Sequence, residues 1–590
     1  MSTVLLILLI VIAAKEREKR RVICEYQPTP RCKRVAKSRY RTIDGSCNNL
    51  KHSKWGKSYT CYPRFMDANY PDGHGNDIMN PRLLNPRKLS NSLFKEDVPH
   101  KSKKHNLMLM NWGQILANEM TYTSGILMPL YFRQIEPCCN ESDASFHPKC
   151  APIFIPENDF LNKELGHSCM NFVRSEVCPS CKNEPRKSIN IRTSFLDFSI
   201  IYGNAESDLE KTRAYKNGLL NMKKNFLEDV GKNEDGPCGV KWRLWYPEVK
   251  NIECFVSGDD YVNSNPWKAA VQTVFVREHN RLAKLYRDAF PHLNDEELFQ
   301  RARRILIAKV QMITYNEFLP AFFGQNLMEE FELAVLKDGY TEYNEEIDPS
   351  TTIEFSTAAF RAIGHSMISS GTTRRAANGN VIKERIDDTW HYVVNFTKGR
   401  LDQYIRGYLF DPSNEIDMFY EDTIRNYFEK NFNNIPKYGT DMTAVDIQRG
   451  RDHGLPSYAQ VYEKCYEKKI ESFDDLKGIL RDENIEKLSK TYETAEEIEL
   501  YPGIAAEVHV QGASLGPVAI CLWHHHFYNI KFGDRFYFEH KNQMGSLTEN
   551  ELKYVRNTTL STIICQNGDT FRQYQITKNA FLLPSSRLKA

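Results

Sequence analysis

The sequence predicts a mainly α protein, built as a single large domain with few short strands. Apolar residues recur at helical spacing through most of the chain after about residue 105. Hairpin-type turn signals are few, so any strands should be short. No shift in composition divides residues 130–590, and no internal repeat or low-complexity tract interrupts them. Length alone, 590 residues, would favour more than one domain.

The first element is the apolar run Val4 to Ala14, VLLILLIVIAA. It is too short for a bilayer span of about 20 residues and suits a signal-peptide core ending on Ala13 and Ala14. A signal peptide over 1–14 and no transmembrane span are therefore expected. Read as an uncleaved anchor, its flanking charges would hold the body in the cytosol. The cysteines oppose that: fifteen in all, many closely spaced, as at Cys138, Cys139, Cys150 and Cys169. Such density fits an oxidising compartment and predicts secretion. The sequons at Asn140, Asn395 and Asn557 are compatible with glycosylation there. Cys178-Pro-Ser-Cys181 has no second CxxC or His pair at finger spacing, which argues against zinc.

Residues 15–37 form a basic arm or propeptide, with a dibasic signal at Arg17-Glu18-Lys19-Arg20, ahead of the domain at 38–590. From Lys15 to Arg64 there are 15 Lys or Arg and 4 Asp or Glu, although the whole chain is only +2. The run reads as a solvated arm, or as one that docks on an anionic matrix or surface. No nucleic-acid partner is expected.

His105 to Met120 is the first strong helical pattern. Asn265-Pro266 opens a long one through Leu285, with Pro in the first turn. Asn294 and Glu297 form a capping box for the next, which should end before Pro320.

Several segments in order resemble the animal haem peroxidase family, the myeloperoxidase and peroxinectin group. They are Tyr40-Arg-Thr-Ile-Asp-Gly-Ser-Cys-Asn-Asn-Leu50, Trp112-Gly-Gln114, Thr193-Ser-Phe-Leu-Asp-Phe-Ser199 with Tyr202-Gly203, and Arg277-Glu-His-Asn-Arg-Leu-Ala283. Ala359-Phe-Arg-Ala-Ile-Gly-His365, Asp446-Ile-Gln-Arg-Gly-Arg-Asp-His-Gly-Leu-Pro456 and Gly533-Asp-Arg-Phe536 complete the set. The resemblance implies that family's fold, with haem b and calcium as cofactors and hydrogen peroxide or another small haem ligand as partner.

By that resemblance His365 is the proximal iron ligand; without those motifs it would read as a core histidine. Asp446 stands where the family has the Asn that accepts from the ligand's far nitrogen, and a carboxylate there should make the imidazole more anionic. Arg361 and Arg449 match residues that reach the haem propionates, Arg361 one position further from the histidine than is usual. Thr193, Phe195 (through its carbonyl), Asp197 and Ser199 match the calcium loop, and Glu119 replaces its remaining Asp, one methylene longer.

The distal side departs from the family. Asn118 holds the position of the distal His, and an amide is no base near neutral pH. Tyr261 holds that of the distal Arg, and a phenol carries no positive charge. Ala117 and Ser264 stand where the family has the two carboxylates that esterify the haem, so any haem would be held non-covalently. Gln114 is retained. His524-His525-His526 cannot converge on one metal from adjacent helical positions.

Family spacing pairs Cys47 with Cys61, Cys238 with Cys254 and Cys465 with Cys521, and leaves Cys565 as the odd thiol. The leading expectation is a secreted pseudoperoxidase, retaining haem and calcium, with little peroxide turnover. The alternatives are an active peroxidase with an altered distal site, and a haem-free extracellular adhesion or interaction protein.

Overall fold

The computed structural model describes residues 31–78, 80, 82–94, 100–123, 138–139, 149–164, 166–178, 184–228, 254–390, 399–428, 439–571 and 576–584. Local sequence sets the long helices. Asn106 ends strand β1 (Lys101–Asn106) and caps helix α1 (Leu107–Met120), its side-chain oxygen accepting from the Met108 N–H at 3.1 Å. The helical pattern read from His105 thus starts two residues later, because His105 and Asn106 belong to the strand. Asn265 caps α2 (Pro266–Ala289), with Pro266 in its first turn. The capping box of Asn294 and Glu297 opens α3 (Asp295–Ile313), both of its bonds measuring 3.0 Å.

The helical path does not stop before Pro320. A π-helical turn, Thr314–Phe318, carries it into α4 (Leu319–Glu330), with Pro320 in the first turn of α4. A second π turn, Phe355–Ala359, leads directly into α5 (Phe360–Ser366). The Trp523 indole N–H donates to the Ala359 carbonyl at 3.2 Å, and the Tyr420 hydroxyl donates to that of Ala362 at 2.8 Å. Both bonds fix α5, which carries His365.

Strands are few and short, as expected. The hairpin β2 (Gly371–Arg375) and β3 (Val381–Arg385) pairs Gly371 with Arg385 and Arg375 with Val381. It packs on α6 (Arg400–Phe410), and β4 (Pro412–Asn414) pairs antiparallel with β1. Three further helices complete the frame of the site: α7 (Met442–Asp452), α8 (Leu500–Ala505) and α9 (Pro517–Phe532). One apolar core runs from Ile43 to Phe581, with α1 near its centre against α2, α5 and α6. That continuity makes a single domain.

The disulfides correct one expectation. Cys47 bonds Cys32 and Cys61 bonds Cys178, so Cys47 and Cys61 are not partners. Strand pairing explains it: Cys61 lies opposite Ile189, and the Cys178 N–H donates to the Lys187 carbonyl, which brings the two cysteines together. Cys178 is therefore no zinc ligand. The Cys32 bond also ties residues 31–37 to the domain. Cys465–Cys521 forms as expected, alongside Cys138–Cys150 and Cys139–Cys169, and Cys565 is a free thiol. Cys254 is disulfide-bonded, while Cys238 lies outside the described residues. So do the apolar run at 4–14 and the sequons Asn140 and Asn395; Asn557 is exposed. Among the described residues no helix is long and apolar enough to cross a membrane.

A Cβ on Gly407 of α6 would lie 1.6 Å from the Thr373 carbonyl oxygen of β2. Gly407→Ala is expected to destabilise the protein by about 1–3 kcal/mol or more, by forcing the hairpin off α6. A thermal midpoint equal to wild type would contradict this packing.

Candidate active site

Two helices in contact each leave one stripe open inside an otherwise buried interior. Every residue of α1 is buried except Gly113, Gln114, Ala117 and Asn118, which share one face. On α5 the open positions are Arg361, Gly364 and His365. A Cβ added to Gly364 would meet nothing within 4 Å. Among the described residues neither the Gln114 nor the Asn118 amide has a protein hydrogen-bond partner. Unpartnered amides and an open histidine on facing elements mark a place built for a ligand.

The His365 ring is held from behind. Its Nδ1 lies 3.1 Å from Asp446 Oδ2 and 3.2 Å from the Tyr501 hydroxyl. Its Nε2 has no protein partner among the described residues. Asp446, on α7, is wholly buried, and Arg361 donates to its Oδ1 at 3.2 Å, with Arg449 Nε at 3.7 Å. Burial alone would raise this carboxyl, but Arg361, His365 and Arg449 together hold it below the usual range. Asp446 is thus a carboxylate that accepts from Arg361 and lies close to two further basic side chains, His365 and Arg449. Burial, then the neighbouring Tyr420 and Asp446, push the Tyr501 phenol well above its ordinary value, so it stays a neutral hydroxyl. A cavity of about 180 Å³ opens on the far side, with Asp446 and Tyr501 in its wall.

Tyr261 lies on a 3₁₀ turn, Asp260–Ser264, ahead of α2. Asp259 fixes that turn by accepting from the Tyr261 N–H at 3.1 Å, and pairs with the buried Arg192. The Tyr261 ring meets that of Tyr122 edge-on, 5.4 Å between centres. The buried Lys268 ammonium sits 5.5 Å from the centre of the Tyr261 ring. Ser264 turns its hydroxyl back to the Tyr261 carbonyl at 2.8 Å.

Glu119 ends α1 and is wholly buried. Its carboxylate accepts from the Ser199 N–H at 3.0 Å, the Ile200 N–H at 3.1 Å and the Ser199 hydroxyl at 3.2 Å. Thr193 Oγ1 donates to Asp197 Oδ1 at 3.0 Å, while Asp197 Oδ2 is buried without a partner. Burial, then the Asp197 charge, push Glu119 up to about 8. Two buried carboxyl groups, the Asp197 charge raising Glu119, flanked by hydroxyls and the buried Phe195 backbone, fit a hard divalent cation.

The animal haem peroxidase family model matches residues 40–581. The chain belongs to the animal haem peroxidase family. It is 33% identical to the chorion peroxidase of Drosophila melanogaster over 94% of this chain and 69% of that protein. Against human eosinophil peroxidase the identity is 31%, over 90% of this chain and 75% of the relative. Among solved structures, peroxidase A from Dictyostelium discoideum superposes with a TM-score of 0.74 at 23% identity, over 92% of this chain and 99% of that one.

The residues present fit a haem: His365, whose Nε2 has no protein partner among the described residues, would hold the iron, and half-buried Arg449 would meet a propionate. Arg361, expected at a propionate too, donates one N–H to Asp446. The open stripe of α1 carries Gln114, Ala117 and Asn118 together. The three neighbouring histidines diverge: His524 stacks on Phe331, His525 meets Phe65 edge-on and His526 stacks on Phe355. Sequence reading missed Tyr501, which no motif flags, and Lys268, whose helical spacing reads as an ordinary first-turn residue.

With calcium in excess, at about 100 times its Kd, the folded state should gain about 2.7 kcal/mol over chelator-treated protein. Asp197→Asn should abolish that gain in a thermal melt. A midpoint indifferent to calcium in the wild type would refute the cation site.

Proposed function

We propose that this chain is a secreted pseudoperoxidase that holds haem non-covalently through His365 and turns over little peroxide. The single observation that carries the reading is the open face of α1. Where peroxide chemistry needs a base, the face carries the Asn118 amide, and by family resemblance the place of the fixed cation falls to the Tyr261 phenol. Haem, when bound, supplies the iron that binds peroxide and undergoes the redox change. His365 would anchor it and Asp446 would hold the ring, but no group at Asn118 can take the first proton from peroxide. Ala117 has no carboxyl, and the Ser264 hydroxyl is turned into its own backbone, so neither supports an ester. The disulfides and the apolar run at 4–14 support secretion.

A second reading, an active peroxidase with an altered distal site, rests on Lys268. Its ammonium, next to the Tyr261 ring, is a cation near the place of the missing arginine.

Peroxide turnover of the haem-loaded protein with a simple phenolic donor separates the two. Wild type should be slow, and Asn118→His with Tyr261→Arg should raise the rate by about a hundredfold or more. Wild-type rates comparable with those of eosinophil peroxidase would sink the pseudoperoxidase reading.

A further inference from the structure

Four arginines converge on one surface notch remote in sequence from the open face of α1. Arg39, Arg41, Arg303 and Arg304 line a cavity of about 20 Å³, room for one small polar group. Tyr40, Phe536 and Leu547 supply its apolar walls. Arg41 and Arg303 are both more than nine-tenths buried, while Arg39 is exposed at the mouth.

Among the described residues only two carboxylates touch these four charges, while Asp197 and Glu206 act on Arg303 from a longer range. Arg41 Nη2 pairs with Asp534 at 2.8 Å, but its Nη1 is buried without a partner. Arg304 pairs with Glu551 at 3.0 Å. Arg303 donates only to the carbonyls of Arg41 at 3.0 Å and Thr42 at 3.3 Å. Among the described residues neither Arg303 nor Arg39 makes an ion pair. Asp197 acts on Arg41 and Arg303 from a longer range, without contact. Elsewhere in the fold the buried guanidinium groups of Arg87, Arg174 and Arg277 each hold a carboxylate within 3.0 Å. A buried cation without such a partner is costly.

We propose that this notch is an oxyanion site that takes one sulfate-type group, either free or carried on a sulfated polysaccharide. Guanidinium forks match such oxygens in pairs, and the missing counter-charge is what the anion supplies. Lys33, Arg34 and Lys37, exposed and a few residues before Arg39 in the chain, offer further cations to the rest of a sulfated chain with one group in the notch.

The test is calorimetric titration of the full chain with sodium sulfate at constant ionic strength, and separately with a sulfated hexasaccharide. Wild type should bind sulfate at one saturable site, and Arg39→Gln with Arg304→Gln should weaken it by about tenfold or more. Lys33→Gln with Lys37→Gln should leave free sulfate binding unchanged. Arg39→Gln alone, at an exposed residue, keeps the test open if the double variant misfolds. A hexasaccharide that binds more tightly than sulfate, and loses affinity with both pairs of changes, identifies the polysaccharide as ligand. Equal affinity identifies the free anion. No saturable sulfate binding, or binding indifferent to the arginine changes, overturns the proposal.

Discussion

A carboxylate with no exposed surface, Asp446, organises the middle of this molecule. It faces the imidazole of His365 on one side and the guanidinium groups of Arg361 and Arg449 on the other. A charge so placed is tolerable only while its partners stay; removing one from a buried pair costs about 3–5 kcal/mol. The helices that carry them, α5 and α7, are therefore tied to each other by charge, and both pack on α8. The π turn before α5, the Trp523 and Tyr420 bonds to its carbonyls, and the Tyr501 hydroxyl at His365 Nδ1 all serve to hold that histidine in one orientation.

The same interaction sets what the site can do. Asp446 does not lend its whole charge to His365, because Arg361 and Arg449 draw on it. His365 is held in one orientation. On the open face of α1 the amides of Gln114 and Asn118 offer hydrogen bonds without acid or base strength. An oriented histidine near such groups supports the proposed reading of binding more than turnover.

Much of this was legible in the sequence, and the failures have physical causes. Helix starts at Asn265 and Asn294 could be read because capping is local chemistry. The pairing of His365 with Asp446 followed from ordered motifs. Tyr501 could not be read, because it lies 136 positions from His365 and reaches it only through folding. The partners of Cys47 and Cys61 were misjudged because nearness in sequence says little about which strands pair. Glu119 was seen as a longer Asp. Only the structure shows that its extra methylene carries the carboxylate onto the N–H groups of Ser199 and Ile200. The contact of Arg361 with Asp446 could not be read either, because it joins residues 85 positions apart.

The most direct test of this account is the visible absorption spectrum of the full chain reconstituted with haem, compared with that of His365→Ala. A retained proximal half predicts a Soret band in the wild type that is lost or shifted in the variant, with the haem extractable by acid–ketone because no ester holds it. Absence of a Soret band in the wild type, or a band unchanged by His365→Ala, would contradict the account.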